Sequence, residues 1–91
     1  MLALTGAMPA NADVDIWNED GAAYRVVVLE NSQQSELSLS AGKFKKSICY
    51  DCVVTISPLS GDHWQDQIAA SGQDVITIEY GSLRIGEGSR E

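Results

Sequence analysis

The sequence predicts an all-β domain, a small antiparallel β-sandwich of immunoglobulin-like type or a small barrel, built from seven to eight short strands. Three observations point that way. Apolar residues recur with a period of two through most of the chain, as in strands buried on one face. Glycine, proline, asparagine and aspartate punctuate these runs at near-regular spacing, as turns between short strands do. Only residues 63–70 leave room for a helical turn, since Trp64, Ile68 and the alanines suit a short helix or an irregular strand equally. The chain has 91 residues, which fits one domain with a thin core.

The elements follow in order. In residues 14–18, Val14 and Ile16 take one face and Asp15 and Trp17 the other. Asp20-Gly21 then reads as a hairpin turn, because both residues tolerate positive φ. Residues 23–30 are apolar on both faces (Tyr24, Val26 and Val28 against Val27 and Leu29), which places that strand inside a sheet. Residues 31–34 are a polar loop. Leu37 and Leu39 then alternate with Glu36, Ser38 and Ser40 in a half-exposed strand that ends at Ala41-Gly42. Residues 43–48 carry Lys43, Lys45 and Lys46, a guard against edge-to-edge pairing. Residues 53–57 form a strand that Pro58 ends. After a loop and the ambiguous segment, Ser71-Gly72-Gln73 turns the chain. Residues 74–80 alternate strictly, with Ile76, Ile78 and Tyr80 expected inward. Gly81-Ser82 suits a two-residue turn with glycine first, and residues 83–85 close the domain.

Residues 13–86 are thus the domain. Residues 1–12 are small and apolar and end in Ala10-Asn11-Ala12, which reads as the back half of a secretory signal or a disordered leader, with cleavage after Ala12. Residues 87–91 read as a frayed tail. The expected location is periplasmic or secreted, with the cytoplasm as the alternative. No segment is long enough to span a membrane as a helix. Thirteen acidic against six basic residues give a net charge of −7. That disfavours nucleic-acid backbones and anionic lipid, which both need lysine and arginine. A protein partner or small ligand stays open, as does the oligomeric state.

The two cysteines stand in "KSICYDCVV" as Cys49 and Cys52, and three readings compete. A redox centre needs a helix N-terminus to lower the thiol pKa, yet Val53-Val54-Thr55-Ile56 continues as a strand. A metal site needs four ligands, for which Cys49, Cys52, His63 and Asp62 are the runner-up set; a single histidine excludes blue copper. The favoured reading is a structural disulfide without cofactor. On a straight strand residues three apart lie about 10 Å apart, too far to bridge. The bond therefore requires Tyr50-Asp51 to form the centre of a turn that brings the Cα atoms under about 7 Å. Closing so short a loop is worth roughly 2 kcal/mol, a useful fraction for a small domain.

Other constellations are weaker. "DVDIWNEDG" fails the EF-hand pattern, since Gly21 at its sixth position puts Ile16 first and Val27 twelfth. Ser60, His63, Asp62 and Asp66 cluster in sequence, but Ser-x-x-His with no orienting residue is no nucleophile geometry. The expectation is a non-enzyme. Tyr50 and Trp64, aromatics beside loops, are the candidates for partner contact, with rim packing as the competing role for Trp64. The residues favour a non-catalytic binding or accessory module over a metal or thiol-redox protein or a structural envelope component.

Asn18, then Tyr24, Val26 and Val28, then Leu39 and Gly42, the Cys49/Cys52 pair, and a closing Val75, Ile78, Glu79, Gly81 and Leu83 form a succession over most of residues 13–86. It resembles small exported bacterial proteins of unknown function that carry a Cys-x-x-Cys pair. The resemblance implies an exported β domain and no particular activity.

Overall fold

The computed structural model describes residues 13–86; the expected leader and tail lie outside the described residues. Eight strands succeed one another: β1 Val14–Asn18, β2 Tyr24–Glu30, β3 Gln33–Leu39, β4 Phe44–Cys49, β5 Asp51–Pro58, β6 Asp66–Ser71, β7 Val75–Glu79 and β8 Ser82–Gly86. They form two four-stranded sheets, in the orders β4-β1-β7-β8 and β3-β2-β5-β6. Among the described residues there is no helix, so the ambiguous segment 63–70 resolves into a loop followed by β6.

The sheets face each other across a core of β-branched residues. Val14, Ile16, Val26, Val54, Ile56, Ile76 and Ile78 are all completely buried. Each comes from the apolar face of an alternating strand, and each buried side chain of this size stabilises the fold by about 1.5–3 kcal/mol before entropy is subtracted. The architecture is therefore the expected small β-sandwich, and the two separate sheets exclude the closed barrel. Its connectivity is not that of an immunoglobulin domain. There the second and third strands lie in opposite sheets; here β2 and β3 form one hairpin. Nor is the sandwich wholly antiparallel, because β1 and β7 run parallel, with Asp15 opposite Val75 and Asn18 opposite Ile78.

Four local expectations change. Asp20-Gly21 does not turn a hairpin: β1 already has β4 and β7 on its two edges, so β2 crosses to the other sheet. The loop expected at residues 31–34 shrinks to Asn31-Ser32, whose φ values of 54° and 65° make a tight primed turn, while Gln33 and Gln34 join β3. The last hairpin turns on Tyr80-Gly81, one residue earlier than expected, with φ values of 55° and 73°. Tyr80 consequently points to solvent and is 93% exposed, because a turn residue has left the alternation that Ile76 and Ile78 keep.

β4 is an edge strand, as its lysines suggested. Its pairing with β1 shifts between Val14 and Ile16. At this bulge Ser47 has a φ of 58°, and its amide donates to Asp15 Oδ1 at 2.9 Å. At the end of β4 the chain changes sheet through one residue, Tyr50. Cys49 and Cys52 flank this corner at disulfide distance, their Cα atoms 6.2 Å apart. Tyrosine is a poor primed-turn residue, but a corner between sheets needs no primed turn.

Candidate functional site

One end of the sandwich holds the most developed site, and Asn18 is its foundation. The β1 alternation Val14, Ile16, Asn18 drives this amide inward, where it is completely buried. Its Nδ2 donates to the carbonyls of Ala22 (2.7 Å), Leu39 (3.1 Å) and Ser40 (3.1 Å), and its Oδ1 accepts from the Asp20 amide at 2.9 Å. One side chain thus ties the β1–β2 crossing to the β3–β4 crossing.

Asp20, held by that contact, spans to the far hairpin. Its carboxylate accepts from the Tyr80 amide at 2.7 Å, the Gly81 amide at 3.0 Å and the Tyr24 hydroxyl at 2.6 Å. These amides point out of the primed turn and would otherwise face water alone. Burial by itself pushes the Asp20 carboxyl up, but the three hydrogen bonds outweigh it and leave the pKa below the ordinary aspartate value. Tyr24 moves the other way. Burial, the hydrogen bond to Asp20 and the repulsion of that carboxylate push its hydroxyl up to about 12.

The Tyr24 ring in turn supports Trp64. The two rings meet edge to face, with centroids 5.9 Å apart at 65°. The indole also lies over Gly81, where a Cβ would come within 3.3 Å of Cη2. Trp64 nevertheless stays 37% exposed. It forms one wall of a cleft of about 650 Å³, with Arg25 on β2, Ser57 and Pro58 at the end of β5, and Asp62 and His63 on the connecting loop. Arg25 Nε bonds Glu36 at 2.9 Å, a pair about half exposed on both sides. Such a pair holds less than about 1 kcal/mol, so the guanidinium can be recruited by a ligand. Asp66 Oδ2 accepts from the Leu83 amide at 2.8 Å, closing β6 onto β8 beneath the loop.

The residues singled out in the sequence are distributed unequally over this geometry. Trp64, His63 and Asp62 line the cleft together. Ser60 Oγ reaches Asp62 Oδ2 only at 3.5 Å, the outer limit of a hydrogen bond. Tyr50 lies elsewhere, at the cysteine corner, where its amide and that of Asp51 donate to Glu30 Oε2 at 2.9 and 3.0 Å. The metal set is not brought together. Cys49 ends β4 and Cys52 lies at the start of β5, while Asp62 and His63 lie beyond the far end of β5, roughly 20 Å along an extended strand. Among the described residues, no three His, Cys, Asp or Glu side chains gather as a metal site. Sequence reasoning missed Asn18, Asp20 and Tyr24 as the site's supports. The strand alternation itself carried a signal for Asn18, since it puts a polar residue on an apolar face.

No family model, no curated protein and no solved structure matches the chain. The class that the coordinates define is a small two-sheet β-sandwich with one open, aromatic-walled end.

Proposed function

We propose that this is an exported, non-catalytic binding module that takes a protein side chain or small ligand in the cleft beside Trp64. The observation that carries the reading is the preorganisation of that indole. It is part-exposed yet held by Tyr24 and Gly81, which Asp20 and Asn18 hold in turn. An aromatic fixed before binding loses little freedom on contact, which is how interface anchors gain affinity. Arg25 and Asp62 at the rim add polar handles of both signs. Export is supported by the cysteine pair at disulfide distance, which belongs to an oxidising compartment, and by the Ala-x-Ala end of the leader.

The test is an NMR screen of the full chain against a small-fragment library. Binding should move the Trp64 indole N–H together with the Arg25 and Ser57 amides. Trp64→Ala should abolish those shifts, while Trp17→Ala, on the outer face of the other sheet, should leave them intact. Hits that scatter over the surface, or that survive Trp64→Ala, would reject the cleft as the binding site.

A further inference from the structure

The four sheet edges are not equally protected. β4 carries two lysines, Lys45 and Lys46, with Lys43 just before it, and a bulge. β6 and β8 lie side by side, joined where Leu83 donates to Asp66. β3 has none of these devices. It runs seven residues in unbroken register with β2, from Leu39 opposite Tyr24 to Gln33 opposite Glu30, with no proline, lysine or bulge. Among the described residues nothing pairs with its outer side. An exposed, regular edge of this kind is a template for another strand.

Which backbone groups are free follows from the turn. In a two-residue primed hairpin the flanking residues exchange both hydrogen bonds, so Glu30 and Gln33 do so here. Alternation then assigns the Ser35 and Leu37 groups to β2 as well. The amides and carbonyls of Gln34, Glu36 and Ser38 point outward. Beside this edge lies a second cleft of about 470 Å³, lined by Val28 and Ile48 together with the polar residues Glu30, Asn31, Gln33, Gln34 and Ser35. It exists because Ser35 and Gln33 share the inner face with Val28 but extend past the cover of the opposite sheet, and so remain exposed.

We propose that β3 is a docking edge for an extended segment of a protein partner that adds as a ninth strand, carries net positive charge, and places alternate apolar side chains in the Val28–Ile48 cleft. The hydrogen-bonding edge demands a strand, and the period of two sends every second side chain inward. The charge follows from the net −7 of the chain and from Glu30, the one charged residue lining the cleft. A second copy of this chain fits less well. The twofold register that engages all three free residues sets Glu36 against Glu36 of its mate, between two molecules that are both strongly acidic.

The test is amide hydrogen exchange on the full chain, with a short blocked peptide of alternating lysine and valine as probe. Saturating peptide should slow exchange at Gln34, Glu36 and Ser38 by about tenfold or more while Gln33 and Ser35, already bonded within the hairpin, change little. Glu36→Pro removes a donor that the hairpin does not use, so it should fold and lose the response. Methylating the peptide amides that face β3 should have the same effect without altering the protein. Unchanged exchange at these three amides overturns the proposal, and so does an equal response to a glutamate–valine peptide. Protection before any peptide is added also overturns it. In that case sedimentation would show a dimer if a second copy holds the edge, and a monomer if another part of this chain does.

Discussion

Asn18 is the residue on which the open end depends, and its chemistry makes a sharp prediction. Its Nδ2 faces three carbonyl oxygens. Asn18→Asp keeps the shape but turns a donor into a buried anion facing acceptors. It should destabilise the fold by about 3 kcal/mol at neutral pH, measured by urea unfolding. Part of that loss should return at acid pH, where a protonated carboxyl can donate again; a flat pH response would contradict this account. Asp20 and Tyr24 set the pH limits of the wild-type chain. Asp20 has a depressed folded pKa, so its contribution is complete above the ordinary carboxylate value of 3.8 and is lost as pH falls below it. Tyr24 has a raised one, so its contribution is complete below its ordinary 10.0 and is lost as pH rises from there through about 12. Tyr24→Phe should remove that alkaline limb and cost about 2 kcal/mol at neutral pH, since the lost bond is to a charged acceptor. Melting curves across both windows test the pair of assignments.

Among the elements, the corner between β4 and β5 is the most constrained. One residue, Tyr50, separates two strands that belong to different sheets. Glu30 accepts from both the Tyr50 and Asp51 amides, and Gly72 donates to the Tyr50 carbonyl at 3.2 Å, so the corner is held on several sides. The cysteine bridge adds to an already bonded turn. Replacing both cysteines by serine should lower unfolding free energy by about 2 kcal/mol without loss of the fold, judged by denaturant midpoint and an unchanged far-ultraviolet spectrum. Loss of the folded state would mean that the bridge, and not the hydrogen bonds, builds the corner. The other demanding element is the β7–β8 turn. It places a tyrosine at positive φ, a conformation that costs a non-glycine residue roughly 1 kcal/mol, and the Asp20 carboxylate offsets that cost by capturing both turn amides.

At the scale of the whole molecule, the two ends of the sandwich carry different features. The Trp64 cleft occupies one end and the cysteine corner with Tyr50 the other, so the two aromatics expected to contact partners cannot form one surface. The proposal of export has its own check. Expressed from a reading frame that includes residues 1–12, and purified from whole cells and medium together, the chain should give an intact mass beginning at Asp13. It should be lighter by two hydrogens than the reduced form and resist alkylation until reduced. Retention of the leader with two reactive thiols would refute export and leave the cysteines free in a reducing compartment.

The alternation of Val14 with Ile16, of Val26 with Val28 and of Ile76 with Ile78 determined by itself that the protein is an all-β structure with a one-sided apolar face on each strand, because spacing along a strand decides which face is apolar. That the strands form two sheets and not a barrel was decided by their pairing. Spacing likewise located the cysteine corner, since only a turn brings residues three apart within bonding reach. Partnership was another matter. That β1 runs parallel to β7, that β2 crosses to the second sheet, and that Asp20 serves a turn sixty residues further on were decided only in three dimensions. A strand's own residues state what it must bury, but any of several apolar faces would satisfy that need. The choice among them is made by the requirement that every buried backbone and side-chain polar group, Asn18 first among them, find a partner at the same time.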